Sequence, residues 1–146
     1  MRHSSSDCGR LTSTIRSHSF ATTLQGEPSL PNIRDLVAAI RQREGVDAAI
    51  VLGHDGLLID SQIAPGLDAE DMAARVPATI GSANDFGSSV GRGVVLTAVL
   101  EHQNGLAIVS VLSDEATLLV LVSPRANIGQ LLFELRRNRG HIAALV

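Results

Sequence analysis

The chain has 146 residues, 45% of them hydrophobic, with three Phe, no Trp, no Tyr and a net charge of −3. That length suits one domain plus a tail, and so few aromatic rings argue against a stacking platform for single-stranded nucleic acid. Every cationic residue is Arg and the single cysteine is Cys8, which excludes a phosphate-loop lysine, a Schiff-base lysine, a disulfide framework and a zinc cluster.

Residues 1–27 are rich in Ser, Thr, Arg and His and poor in apolar side chains. They read as a disordered tail or a misplaced start. The same Arg-rich, acid-poor composition also fits an organelle transit peptide. Residues 28–146 read as the folded domain. Residues 1–26 carry three Arg and one Asp, and residues 27–146 carry nine Arg and fourteen acidic residues. The domain is therefore acidic and poorly suited to nucleic acid. No apolar run reaches membrane-spanning length.

The spacing of Ile33, Leu36, Val37 and Ile40 predicts a first helix over 29–43. Ser29 or Asn32 can cap it, and Gly45 suits its C′ position. Two apolar runs then flank His54-Asp55-Gly56, a tight-turn signal, which predicts a hairpin with strands at 47–53 and 57–62. Asp68 opens a second helix, with Glu70 and Asp71 in its first turn suiting the helix dipole. Met72, Val76, Ile80, Ala83 and Val90 form its apolar stripe. Pro77 is expected to kink it, and Gly81 and Gly87 to weaken it by about 1 kcal/mol each relative to Ala.

Gly93 to Val122 reads as three apolar, β-branched runs separated by two polar breaks. The first break holds Asn104-Gly105, read as a type I′ turn, and the second Asp114-Glu115, whose turn type is open. The expected strands are 93–101, 106–112 and 116–122. Val94, Leu96, Ala98 and Leu100 take one face of the first, and Val95 and Val99 the other. Strands apolar on both faces need cover on both faces, from helices on each or from another subunit on one. Asn127 is expected to cap a third helix running to about Asn138 and ended by Gly140. Arg136, Arg137 and Arg139 crowd its last turn, favourably for the dipole. Helix, two strands, helix, three strands, helix is an α+β domain with a five-stranded antiparallel sheet.

These residues carry a family resemblance. GVDAAIVLGHDGLLIDS, the second helix rooted at Asp68, the Gly-Arg-Gly run at 91–93, LAIVSVLSDEATLLVLV, and the Ser-Pro-Arg-Ala-Asn-Ile-Gly run into LLFELRRNRG together resemble the roadblock (dynein light-chain) domain. The bacterial branch is the nearer one, in which motility and polarity regulators act on a small Ras-like GTPase. The resemblance covers residues 29–140. It implies a single domain with the second helix on one face of the sheet and the first and third on the other. It implies a cytoplasmic signalling module with no catalytic residues, cofactor or metal of its own. Its implied partners are itself or a related roadblock chain, and a small GTPase.

Each chemical reading competes with a structural one. His54-Asp55 could be a base and its orienting carboxylate, but neighbours at a hairpin tip seldom point together, and turn chemistry accounts for them. His102 and His141 lack ligands at useful spacing. Ser88-Ser89 fits no nucleophile elbow, and Gly91 and Gly93 read as a helix exit. Arg136, Arg137 and Arg139 read as a solvated helix end, and Arg92 and Arg125 are not expected to act as arginine fingers. Asp68, Glu70, Asp71 and Arg75 form a candidate partner-binding patch, although the acids also match the helix dipole. The strand opened by Gly93 lies at the sheet edge in the resembled family and carries no Pro or charge before Glu101. A bare apolar edge is an aggregation hazard unless a second copy covers it. Met72, Val76, Ile80, Val95, Thr97 and Val99 are therefore the expected dimer contacts. Three functions follow: a GTPase-regulating dimer, a scaffold that leaves hydrolysis unchanged, and, as a distant third, a small enzyme.

Overall fold

The structure, a computed structural model, describes residues 32–146. The expected tail, 1–27, and the expected start of the first helix at 29–31 lie outside those residues. The first helix, α1, spans Ile33–Arg41. It begins at Asn32, whose side-chain oxygen accepts from the Asp35 N–H at 3.0 Å while the Asp35 carboxylate accepts from the Asn32 N–H at 3.1 Å. Two of the donors that a helix start leaves without partners are thereby satisfied reciprocally. Leu36, Val37 and Ile40 are fully buried. Gly45 does not form the C′ position, because Gln42 is already the C-cap. Its φ of 85° instead turns the chain into the next strand, where an added Cβ would come 2.7 Å from the Ala126 Cβ.

The strands are β1 (Val46–Gly53), β2 (Leu58–Ile63), β3 (Thr97–His102), β4 (Gly105–Val111) and β5 (Ala116–Val122), with the long helix α2 (Ala69–Ser89) between β2 and β3. They form one antiparallel sheet in the order β2-β1-β5-β4-β3. After β5 come α3 (Ile128–Arg137) and α4 (Arg139–Ala143). The central strands β1 and β5 are buried almost throughout, as their two-sided apolar runs require. One core sets Val51, Ile108, Leu118 and Val120 against Leu36 and Ile40 of α1, Leu131 and Leu135 of α3, and Ile142 of α4. The other sets Ile50, Leu52, Val109 and Leu119 against Ala73 and Val76 of α2. This is the expected α+β fold, with helices on both faces.

Several local expectations are corrected. The first strand of the meander starts at Thr97 and not at Gly93. Asn104 and Gly105 are not the centre of a type I′ turn. Gly105 already pairs with His102 across the ladder, so the loop residues are Gln103 and Asn104, and no non-glycine residue among those described has positive φ. Glycine is needed at 105 for space, since a Cβ there would come 2.8 Å from the Val122 carbonyl oxygen. The break at Asp114-Glu115 includes Ser113: the Leu112 and Ser113 N–H groups both donate to the Ala116 carbonyl. The Asp55-Gly56 hairpin has a three-residue loop, with Gly53 N–H donating to the Leu57 carbonyl at 2.8 Å and Gly56 at φ 87°. That is a type I turn followed by a left-handed glycine. Asp55 serves the turn, its Oδ1 accepting from the Leu57 N–H at 3.1 Å.

The C-terminal end also differs. Asn127 is the N-cap of α3, yet its side chain makes no capping bond. Gly140 does not end the helical region. The chain steps at Asn138, whose amide donates to the Glu134 carbonyl, and resumes as α4, which buries Ile142 completely.

Candidate functional site

The residues expected to matter lie on α2, on β3, and on the linker between them. Asp68 caps α2, its Oδ1 accepting from the Asp71 N–H at 3.1 Å. Asp71 pairs in turn with Arg75 at 3.0 Å, one helical turn on. The hydrogen bond to that carboxylate, reinforced by its charge, raises the Arg75 pKa above its already high ordinary value. Both side chains are exposed, as is Glu70, so this end of α2 is a solvated acidic first turn.

The helix then continues through Pro77 to Ser89. The ring has an identifiable neighbour. A Cβ on Gly56 would come 3.2 Å from Pro77 Cγ and 3.4 Å from the Ala73 carbonyl oxygen, so the β1–β2 turn sits directly against this part of the helix. Val76 is 5% exposed and belongs to the chain's own core, while Met72 and Ile80 are half-buried beside it.

Beyond Ile80 only Gly87 of the helix is buried, with Ala83 and Asn84 half-buried. The main sheet contacts of α2 are with β2 and β1, as are those of α1 on the other face. The apolar stripe nevertheless continues, placing Phe86 at 70% exposure and leaving Val90 exposed as well. The linker doubles back across the helix at Gly87. Arg92 N–H donates to the Gly87 carbonyl at 2.7 Å, and a Cβ on Gly87 would overlap the Gly93 carbonyl oxygen. Gly91 and Gly93, at φ 72° and 81°, make the reversal. Asn84 Oδ1 then accepts from the Val95 N–H at 2.7 Å. Val94 and Leu96 point outward, 71% and 59% exposed.

β3 is one of the two edge strands. Leu96 accepts from the Val111 N–H at 2.9 Å, just ahead of the ladder that pairs Thr97 with Ser110 and Val99 with Ile108. Antiparallel pairing alternates, so Ala98, Leu100 and His102 turn their backbone groups toward β4. Those of Thr97, Val99 and Glu101 face away from the sheet. Val99 and Leu100 are exposed, while Val95 and Thr97 are half-buried. The other edge, β2, is different in kind. Its register with β1 skips Ile59, a bulge, and Asp60, Ser61 and Gln62 follow. Bulges and polar residues are devices that keep an edge from pairing.

Arg139 was read as part of a solvated helix end and is not. It is the first residue of α4, and its guanidinium reaches back to the start of β3. Nη1 donates to the Val111 carbonyl at 2.6 Å and to the Leu96 carbonyl at 3.1 Å, and Nη2 donates to the Thr97 hydroxyl at 2.9 Å. Arg136 and Arg137 are exposed, as expected. Sequence spacing carried no signal for Arg139, because its partners lie 28 to 43 residues away. The exposed set Phe86, Val90, Val94 and Leu96 was also only partly anticipated. Phe86 lies on the expected stripe but was not singled out.

Elsewhere, His54, His102 and His141 are exposed and separate. Among the described residues, no three His, Cys, Asp or Glu side chains are grouped so as to hold a metal ion, and no helix is long and apolar enough to cross a membrane. An open hollow of about 540 Å³ lies where β1 begins and β5 ends, with Arg43 and Arg125 in its wall. Arg43 is already engaged, at 2.8 Å from the Glu134 carboxylate.

No family model matches the sequence. Two proteins of Methanocaldococcus jannaschii, MJ0310 and MJ1340, are each 29% identical over 106 residues, 73% of this chain and 92% of each relative. A Roadblock/LC7 domain from Streptomyces avermitilis superimposes with a TM-score of 0.66 at 25% identity, over 78% of this chain and 94% of its own. This chain has the Roadblock/LC7 fold. MglB of Myxococcus xanthus matches the same fold with a TM-score of 0.70 at 11% identity, over 77% of this chain and 93% of its own. Six of the eleven exposed large hydrophobic side chains among the described residues, Phe86, Val90, Val94, Leu96, Val99 and Leu100, lie on the end of α2, the linker and β3.

Proposed function

We propose that this domain is a homodimeric platform that binds and modulates a small Ras-like GTPase. One observation carries the dimer: an unblunted edge strand lies beside an exposed apolar helix end. Pairing β3 with β3 of a second copy satisfies the outward backbone groups of Thr97, Val99 and Glu101. The same pairing brings Phe86, Val90, Val94 and Leu96 toward the partner and extends the surface expected at Met72, Ile80 and Val95. A two-fold axis makes the pairing antiparallel and self-complementary. Val76 contributes indirectly, by holding α2 on its own sheet.

The GTPase role is supported by the resemblance to the bacterial regulators and by the shared fold of MglB. In this reading the domain inserts no catalytic group of its own. Its effect on a GTPase would come from binding one conformation of the partner's switch regions more tightly than another. The acidic first turn of α2, with Asp68, Glu70, Asp71 and Arg75, is the proposed polar part of that contact. Sedimentation at about 50 μM should give a dimer, since mass action favours association at such concentrations. A well-behaved monomer there would overturn the dimer. Added to a Ras-like GTPase from the same organism, the dimer should change the rate of GTP hydrolysis. Binding with an unchanged rate would assign it a scaffolding role instead, and no binding would remove the GTPase from the proposal.

A further inference from the structure

The contact between Arg139 and the start of β3 has a function that its position in the chain does not suggest. We propose that Arg139 is a positioning residue for the subunit edge, through which the C-terminal helix α4 sets how β3 is presented to a second copy. In the β3–β4 register, Leu96 falls opposite Val111. A complete rung would join each N–H to the other's carbonyl. Half of it is made, from Val111 N–H to the Leu96 carbonyl at 2.9 Å. On the other side the Val111 carbonyl accepts from Arg139 Nη1 at 2.6 Å. The guanidinium thus takes the place of a backbone donor and ends the ladder there.

Arginine suits this task because its rigid fork offers several donors in one plane. One nitrogen spans both carbonyls and the other holds the Thr97 hydroxyl. Three acceptors on two strands are thereby fixed to one side chain of α4. The first residue whose backbone faces outward, Thr97, is among them. Asn84 holds the linker from the other side through the Val95 N–H, so Val95 to Thr97 is clamped between α2 and α4. Anything that draws α4 away from the sheet would loosen this edge, giving the C-terminal segment control over association.

The geometry stands by itself, but its consequence for assembly rests on the dimer proposed above. The test therefore has two readouts: site-resolved amide hydrogen exchange and sedimentation, applied to the full chain with Arg139→Met and, as a control, Arg136→Met. Arg139→Met should speed exchange at Val95 and Ala98, whose N–H groups bond within the subunit, about tenfold or more, the effect of losing a hydrogen bond to a charged group. Exchange in β1 and β5 should stay unchanged, and the dimer dissociation constant should rise. Arg136→Met should change neither. If Arg139→Met fails to fold, Thr97→Val removes one of the three bonds and should show a smaller rise in the same segment. Exchange at Val95 and Ala98 equal to wild type would overturn the clamp, as would a uniform increase across all strands, which marks general destabilisation. A monomeric wild type would remove the dimer while leaving the exchange result to decide the role of Arg139.

Discussion

At Gly87, two effects of glycine have opposite signs. As an interior helix residue, Gly costs about 1 kcal/mol relative to Ala, so Gly87→Ala should stabilise α2. As a crossing point, Gly87 leaves room for the Gly93 carbonyl, so an added methyl must displace the linker. Overpacking of that kind costs about 1–3 kcal/mol, and backbone cannot give way as a flexible side chain can. Thermal unfolding of Gly87→Ala should therefore show a lower Tm. A raised Tm would mean that the linker does not cross there. The sequence marks Gly87 only as a weak point, since nothing local says which strand end will return over it. Glu134 is a similar case. It reads as an ordinary helix residue, yet it is 8% exposed and held by Arg43 of the loop after α1.

Helices with a regular apolar period and strands with unbroken apolar runs were legible, and their ends much less so. α1 could be read because its apolar period and one of its two candidate caps, Asn32, agree. Asn32→Ala should cost about 0.5–2 kcal/mol, the usual range for losing such a cap. An unchanged chemical-denaturation midpoint would show that tertiary packing alone fixes the start of α1. β3 was misplaced by four residues because Val94-Val95-Leu96 has the composition of a strand. Composition cannot reveal that Gly91 and Gly93 have turned the chain over α2, leaving those residues to be fixed by Asn84 and Arg139. α4 was missed because Gly140 reads as a stop. The fully buried Ile142 is what holds the final turn in place. Pro77 removes one helical hydrogen bond, but the β1–β2 turn packed against it leaves α2 continuous.

For the whole molecule, two-sided apolarity in the sequence was enough to require cover on both faces, by helices or by another subunit on one of them. It could not say that α1 and α2 both sit chiefly over β1 and β2, so the uneven cover toward β3 is visible only in three dimensions. That unevenness gives the assembly a direct test. Val99 faces its backbone N–H away from β4, so Val99→Pro should leave the intramolecular ladder intact. Proline is tolerated at such positions on a free edge strand. It should nonetheless abolish the proposed dimer, in which the lost donor and the ring would lie in the subunit seam. A Val99→Pro variant that folds and still sediments as a dimer would place the contact elsewhere.

The bulge at Ile59 has a consequence for the size of the assembly. A sheet with two receptive edges can add copies without limit and grow into a fibre. In the proposed dimer the joining edge is used up by its own twin, and the outer border of each copy is bent at Ile59 and lined by Asp60, Ser61 and Gln62. Growth through the sheet should stop at ten strands, so raising the concentration would fill the population of pairs without adding a third member along the ribbon.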